Sequence, residues 1–346
     1  MMLPTRIEID DQSRVSQCRR RAKALARSLG FSEVDRERVG IAVSEAVSNV
    51  LRHAGSGVFL AQPSRLFAEP CLTVLLWDRG PGISNLDRSL EDGYSSADGQ
   101  GIGLGAMKRQ SDGFELYSKP KGGLVVSMRF RKRGPMKRSA SPDVSYRNVF
   151  ATAIPMPEEA DSGDAWAVEK RSGVWKLLLV DGLGHGTKAA KAARLAVERF
   201  GTVADLAGES IMYSLNDALK GSRGAVAAVA EIDESRGRLR FTGVGNIFGR
   251  LFTNGALSTM TSSSGIVGYQ MRTVSSYEFD WNKDSMIILH SDGIGSKWLL
   301  DSYPGLAFSE SSIAAGVLLS DFRKQSDDSS ILVFAPRGQT DREAEL

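Results

Sequence analysis

Between Arg131 and Val144 the chain reads RKRGPMKRSASPDV, a stretch in which Pro, Gly, Ser and basic residues replace any hydrophobic period. Such a stretch cannot bury apolar surface, so it reads as a linker. It divides the 346 residues into two parts that must each build a core of their own. With 42% hydrophobic residues there is material for two ordinary cores, and disorder as the main state is excluded. The expected boundaries are a first domain over 1–132, the linker over 133–144, a second domain over 145–336 and a polar tail over 337–346. No short internal repeat relates the halves, so each needs its own functional account.

The charge balance is close to even, with 44 Lys and Arg against 41 Asp and Glu and a net charge of +3, which calls for neither nucleic acid nor an anionic membrane as partner. Cys18 and Cys71 lie far apart and form neither a disulfide framework nor a zinc-ligand cluster. No apolar run approaches the roughly 18 residues of a spanning helix, and MMLPTRIEIDD reads as a strand rather than a signal peptide. A reducing, cytoplasmic setting is the expectation. Glycine is in excess, 36 residues against a usual share of roughly 7%, and many of these glycines stand beside aspartates.

In the first part, a helix is expected from about Ser13 to Leu29, stopped by Gly30, and a second is opened by Ser32 as N-cap. Val39, Ala42, Val43, Ala46, Val47, Val50 and Leu51 bury one face of that second helix, while strands are expected at Leu72–Asp78, Phe114–Ser118 and Leu124–Arg131. Glu45, Asn49 and His53 recur every fourth residue and share one stripe. An Asn amide oxygen is a hard ligand suited to Mg²⁺, and a Glu one turn away can orient or deprotonate a hydroxyl; taken alone, the triple reads more simply as a solvated helix edge. Asp78-Arg79-Gly80-Pro81-Gly82-Ile83 follows a strand, where an Asp can accept from an exocyclic amine such as that of adenine, or simply form a turn. Gly99-Gln-Gly101-Ile-Gly103-Leu-Gly105 precedes a helix expected at Ala106–Gln110, an arrangement that offers backbone N–H groups to an anion, helped by Lys108 and Arg109.

In this order, ExxxNxxxHA, DxGPGI and GxGxGxG resemble the N, G1 and G2 boxes of the gyrase, Hsp90, histidine-kinase and MutL (GHKL) ATPase superfamily, and the surrounding sequence is most similar to the serine kinases of bacterial stressosome and anti-sigma partner switching. The resemblance implies a Bergerat-type α/β sandwich that binds ATP with Mg²⁺. Glu45 is then the catalytic base, Asn49 the Mg²⁺ ligand, Asp78 the adenine-reading residue, and Gly80, Gly82, Gly101, Gly103 and Gly105 the nucleotide-loop glycines. The chain departs from the family at Gly123-Leu124, where a Thr usually follows the glycine, so nucleotide binding and turnover are separate expectations.

The second part alternates strands expected at Asn148–Ile154, Ala165–Glu169, Trp175–Val180, Ala225–Ile232, Leu239–Val244, Ser285–His290 and Ser330–Phe334 with helices near Thr187–Phe200, Glu209–Leu219 and Ser311–Phe322. Acidic residues stand beside small ones at Asp164, Asp181-Gly182, Asp292-Gly293 and Asp327-Asp328. A strand ending in Asp-Gly projects a carboxylate from a rigid base, and such oxygen donors suit Mg²⁺ or Mn²⁺; any single Asp-Gly is also a common turn. His185 in the loop DGLGHG fits either a general acid or a surface residue.

The order and context of these acids resemble the metal-dependent serine/threonine (PPM) phosphatases, specifically their SpoIIE-type branch, and GVGNIFGRL, SSSGIVGY, ILHSDGIGSKW and SDDSSILVF are similar to the stressosome feedback phosphatase. The implied fold class is α+β, the ATPase sandwich followed by a phosphatase β-sandwich flanked by helices. The resemblance implies two Mn²⁺ or Mg²⁺ ions, with Asp181 bridging them, the Gly182 carbonyl joining it, Asp292 and Asp327 completing one site, Asp164 serving the other, and Asp328 supporting them. It also implies in-line attack of water on phosphoserine. The expected function is removal of phosphate from a STAS-domain anti-sigma antagonist or stressosome-type scaffold, with the ATP-binding domain regulating, docking or opposing that step. A bifunctional kinase/phosphatase switch and an anti-sigma-type binding module with secondary catalysis stay open, as does a homodimer.

Overall fold

A computed structural model describes residues 3–64, 70–83, 103–119, 122–132 and 148–336. The expected linker 133–144 and tail 337–346 lie outside the described residues, as does Gly101. The chain divides into two compact units, residues 2–143 with 312–320, and residues 144–311 with 321–346.

In the first unit β1 (Thr5–Ile9), β2 (Gly57–Ser64), β3 (Cys71–Asp78), β4 (Gly113–Lys119) and β5 (Gly123–Arg131) form a sheet of order β1-β2-β3-β5-β4, antiparallel at every junction. Helix α1 (Ser13–Ser28) ends where Gly30 takes φ 80°, and α2 (Glu33–Ala54) begins with the Ser32 hydroxyl accepting from Asp35 N at 3.1 Å, both as the sequence predicts. The α2 stripe Val39, Val43 and Val47 is fully buried in one cluster with Leu72, Val74 and Leu76 of β3 and Met128 and Phe130 of β5. The period of the helix therefore meets the period of the strands across a single apolar layer. Helix α3 (Gly103–Gln110) starts earlier than expected, so Gly103 and Gly105 sit inside its first turn rather than ahead of it. The buried Arg38 of α2 reaches Asp35 at 3.2 Å and Asp112 at 3.1 Å, and the other Asp112 oxygen accepts Arg131 N at 2.9 Å, which ties α2 to the ends of β4 and β5.

The second unit stacks two five-stranded sheets. One takes β6 (Val149–Ile154), β11 (Phe248–Thr253), β12 (Ala256–Met260), β16 (Met286–His290) and β17 (Ser329–Phe334) in the order β12-β11-β16-β17-β6. The other takes β7 (Asp164–Arg171), β8 (Val174–Gly182), β9 (Ala225–Asp233), β10 (Arg238–Val244) and β15 (Ser276–Asp280) in the order β15-β10-β9-β8-β7. Trp175 and Trp281 meet Phe334 between the sheets, with ring centroids 5.2 and 5.7 Å apart. Helices α4 (Gly186–Val203) and α5 (Gly208–Leu219) cover the second sheet through Ala193, Phe200, Ile211 and Leu215, packed on Leu178, Val180 and Val229. A short β13 (Gly265–Ile266) pairs with β14 (Gln270–Met271), while helix α6 (Ser311–Phe322) belongs over residues 312–320 to the first unit.

Strands β7 and β8 form a hairpin through Ser172 (φ 50°) and Gly173 (φ 83°), the two positive values that a tight twisted turn demands. From there the register runs without a break from Arg171↔Val174 to Asp164↔Asp181. No helix among the described residues is long and apolar enough to cross a membrane. Cys18 and Cys71 are free and buried.

Candidate functional site

In the first unit the side chains named from the sequence converge on one end of α2. A Cβ added to Gly103 would stand 2.8 Å from both Asn49 Nδ2 and Glu45 Oε1, so the start of α3 rests on those two side chains and a larger residue there would displace their head groups. Asp78 ends β3, 9% exposed. Its Oδ1 accepts Gly80 N at 2.8 Å and Leu124 N at 3.3 Å, while its other oxygen has no partner among the described residues. Burial pushes the Asp78 carboxyl above its ordinary range, opposed by those two N–H groups. Gly123, at φ 90°, carries its backbone so close to Asp78 that a Cβ would lie 2.0 Å from the Asp78 carbonyl oxygen. A Cβ on Gly80 would lie 2.8 Å from the Ala54 Cβ, and Gly82 takes φ 73°. A half-free buried carboxylate beside close-approaching backbone fits a flat heterocycle carrying an amine, and an Asn amide next to a carboxylate fits Mg²⁺ and phosphate.

In the second unit the hairpin register places Asp164 and Asp181 directly opposite each other on β7 and β8. Like charges so placed destabilise a strand pair. Gly182 N donates to Gly163 O at 3.0 Å, and a Cβ on Gly182 would meet Ala189 O at 2.4 Å, so the strand end is locked under α4. Burial, then the carboxylates of Asp164, Asp292, Asp327 and Asp328, push the Asp181 carboxyl far above its ordinary value. Burial likewise raises Asp164, whose Oδ2 accepts the Ser291 hydroxyl at 2.7 Å. Asp327 is raised by burial and by Asp292. Asp292 Oδ2 accepts Asn246 Nδ2 at 3.0 Å.

Asp328 differs from its neighbours. Its two oxygens accept Met156 N at 2.8 Å and Gly163 N at 2.6 Å, so it straps down the loop that leads into Asp164. Gly293 passes so near this strap that a Cβ would stand 1.8 Å from Asp328 O.

Among the described residues no three His, Cys, Asp or Glu side chains close a cage around one point. What converges is a set of mutually repelling carboxylates, all hard oxygen donors. That set suits Mg²⁺ or Mn²⁺ held by one or two carboxylates each, with water and substrate oxygens completing the coordination. Asn246 and Ser291 belong to the cluster although the sequence reading assigned them no role. The signals available were the Asn in GVGNIFG and the Ser directly before Asp292. His185 lies outside the cluster on the surface, its Nδ1 2.9 Å from Glu159 Oε1. His290 is buried against Phe248 at 5.1 Å, and burial pulls its imidazole down to about 4, a neutral core residue.

Comparison with known proteins agrees with both halves. Residues 10–130 match the family model of the histidine kinase-like ATPase domain, and residues 171–297 that of stage II sporulation protein E (SpoIIE). The serine/threonine-protein kinase RsbT of Bacillus subtilis (strain 168) is 35% identical over 100 residues, which cover 29% of this chain and 75% of RsbT. A solved structure described as the bacterial stressosome, a modular system adapted to control secondary messenger signaling, is similar at TM-score 0.51 and 26% identity, over 54% of this chain and 97% of its own. RsbX in complex with magnesium gives TM-score 0.48 at 20% identity, over 54% and 92% of the two chains. The chain thus belongs to the histidine kinase-like ATPases through an N-terminal domain of the RsbT kinase type, followed by a SpoIIE-type serine phosphatase domain.

Proposed function

We propose that the protein is a metal-dependent phosphoserine/phosphothreonine protein phosphatase of a bacterial partner-switching pathway, acting on a phosphorylated STAS-domain regulator in the cytoplasm. The observation that carries the catalytic part is the cross-strand pair Asp164–Asp181, set among Asp292 and Asp327, whose charges repel and call for cations. Two divalent ions, if held there, would supply an activated water and offset the phosphoryl charge. Asp164, Asp181, Asp292, Asp327 and the Gly182 carbonyl are the groups that would hold them. The Ser291 hydroxyl orients Asp164, the Asn246 amide orients Asp292, and the Asp328 strap fixes the loop from which Asp164 projects. Removing a phosphate removes roughly two negative charges, enough to switch a protein–protein interface.

The test is hydrolysis of p-nitrophenyl phosphate by the purified chain, with Mn²⁺ and with chelator, beside Asp181→Asn. Activity that needs metal and falls to background in the variant supports the reading. A folded wild type that binds Mn²⁺ and hydrolyses nothing, including a phosphorylated STAS protein, refutes it and moves a binding module ahead.

The N-terminal domain takes ATP with Mg²⁺ in this reading, with Asp78 accepting the adenine amine and Asn49 holding the ion, and it gates the phosphatase or docks the same partner. Opposed activities on one target would cycle uselessly without such a gate. Equal phosphatase rates with ATP, ADP and no nucleotide, together with unchanged partner affinity after removal of 1–132, exclude both roles. A bifunctional switch is the second reading, favoured by Glu45 standing beside Asn49 at the start of α3. Loss of phosphate transfer from ATP in Glu45→Ala, with ATP affinity intact, supports it.

A further inference from the structure

Beyond the carboxylate cluster, one cation has a placement that neither folding nor ion pairing accounts for. The β8–β9 ladder ends at Gly182↔Ala225, and the pairing continues one step further through Leu183 N, which donates to Gly224 O at 3.1 Å. The next residues on the two chains are Gly184 and Arg223. Gly184 takes φ 82°, and a Cβ there would lie 2.8 Å from Arg223 Nη1, so the guanidinium rests against the turn that joins Asp181 to α4.

The backbone beneath it is fixed. The Ser222 hydroxyl accepts Gly224 N at 3.0 Å and donates to Leu219 O at 2.6 Å. Gly221 and Gly224 both take φ 80°, and a Cβ on Gly224 would lie 2.9 Å from Val267 O. A long side chain on a rigid turn delivers its head group to a defined place.

That head group is exposed, and among the described residues its side chain makes no hydrogen bond or ion pair. The acids of the facing loop are engaged elsewhere, Glu159 with His185 at 2.9 Å and Asp161 with Arg194 at 3.6 Å. A free guanidinium on the surface adds little to stability. Its planar fork of donors, by contrast, matches the oxygens of a phosphoryl group. Once cations neutralise the aspartates, the charge left unmatched at the site is that of the substrate phosphoryl group.

We propose that Arg223 is a substrate-binding residue that grips the phosphoryl oxygens of the phosphoserine, an assignment that rests on the phosphatase reading above. The full chain and its Arg223→Ala and Arg223→Lys variants would be titrated calorimetrically with inorganic phosphate in the presence of Mn²⁺. KM and kcat for p-nitrophenyl phosphate would be measured in parallel.

The expected result is a rise of about tenfold or more in the phosphate Kd and in KM for Arg223→Ala, partial recovery in Arg223→Lys, and an unchanged Mn²⁺ affinity. A phosphate Kd within about twofold of wild type in Arg223→Ala overturns the assignment, as does a wild type that binds Mn²⁺ but no phosphate. A loss confined to kcat overturns it too. If the wild type binds phosphate and hydrolyses nothing, the phosphatase reading fails on its own, while the phosphate titration still decides the role of Arg223.

Discussion

In the N-terminal unit the buried Asp35 and the part-buried Asp112 lie 3.2 and 3.1 Å from Arg38. In the C-terminal unit Asp164, Asp181, Asp292 and Asp327 gather with no basic side chain in ion-pair distance among the described residues, and the groups that touch them are hydroxyl, amide and backbone N–H. The same residue type is thus used in two ways within one chain. Paired acids hold α2 to the sheet and are structural. Unpaired acids store repulsion that a retained proton or an added cation relieves, and such a cluster is where chemistry is to be sought.

Removing a charge should therefore have opposite signs in the two units. Arg38→Ala removes the guanidinium that bridges the buried Asp35 and the part-buried Asp112 and should cost about 1.5–3 kcal/mol, read as a lower urea midpoint for the N-terminal transition. A change under about 0.5 kcal/mol would break the contrast. Asp181→Asn removes repulsion and should raise the stability of the metal-free protein by about 1–3 kcal/mol, while abolishing the gain from Mn²⁺. A destabilised metal-free variant would contradict the account.

The pH dependence sharpens the same point. The raised carboxyls of Asp164 and Asp181 keep protons that the unfolded chain has already released, so metal-free stability should fall as pH rises from about 5 to about 8. Mn²⁺ should reverse the slope. Thermal denaturation in chelator and in Mn²⁺ at both pH values is the check, and a rising metal-free profile would count against it. At the N-terminal site Asp78→Asn replaces the half-free carboxylate by an amide and should weaken ATP binding by about tenfold to a hundredfold, measured by calorimetry. The smallest effect concerns the thiols. Burial pushes Cys18 up to about 12 and also raises Cys71, so neither should react with a disulfide reagent until the unit unfolds.

Much of this was legible in the residue order. The α2 stripe, the Ser32 cap and the Asp-Gly strand ends each carry a local signal, and the four-residue spacing of Glu45 and Asn49 puts them on one face of α2, where Gly103 lies against both. What escaped the reading depends on distance along the chain. Arg38 and Asp112 are 74 residues apart, and Asn246 and Asp292 are 46 apart, so no window of sequence contains both partners. Strand β2 was hidden by Pro63 near its end, and the exposed positions of β12 and β15 blur the alternation that marks a strand. The early start of α3 was missed because glycines argue against a helix, whereas Gly103 is placed there by its closeness to Glu45 and Asn49.

The turn at Ser172–Gly173 acts as a ruler for the site at the far end of its hairpin. Eight strand steps, about 27 Å, separate it from Asp164, yet its two-residue geometry decides that Asp164 faces Asp181. One residue inserted there would slide β7 against β8 and turn one carboxylate to the opposite side of the sheet. A lesion in a loop that touches no ligand would then silence the enzyme as completely as the loss of an aspartate, and genetic screens for inactive alleles should recover both.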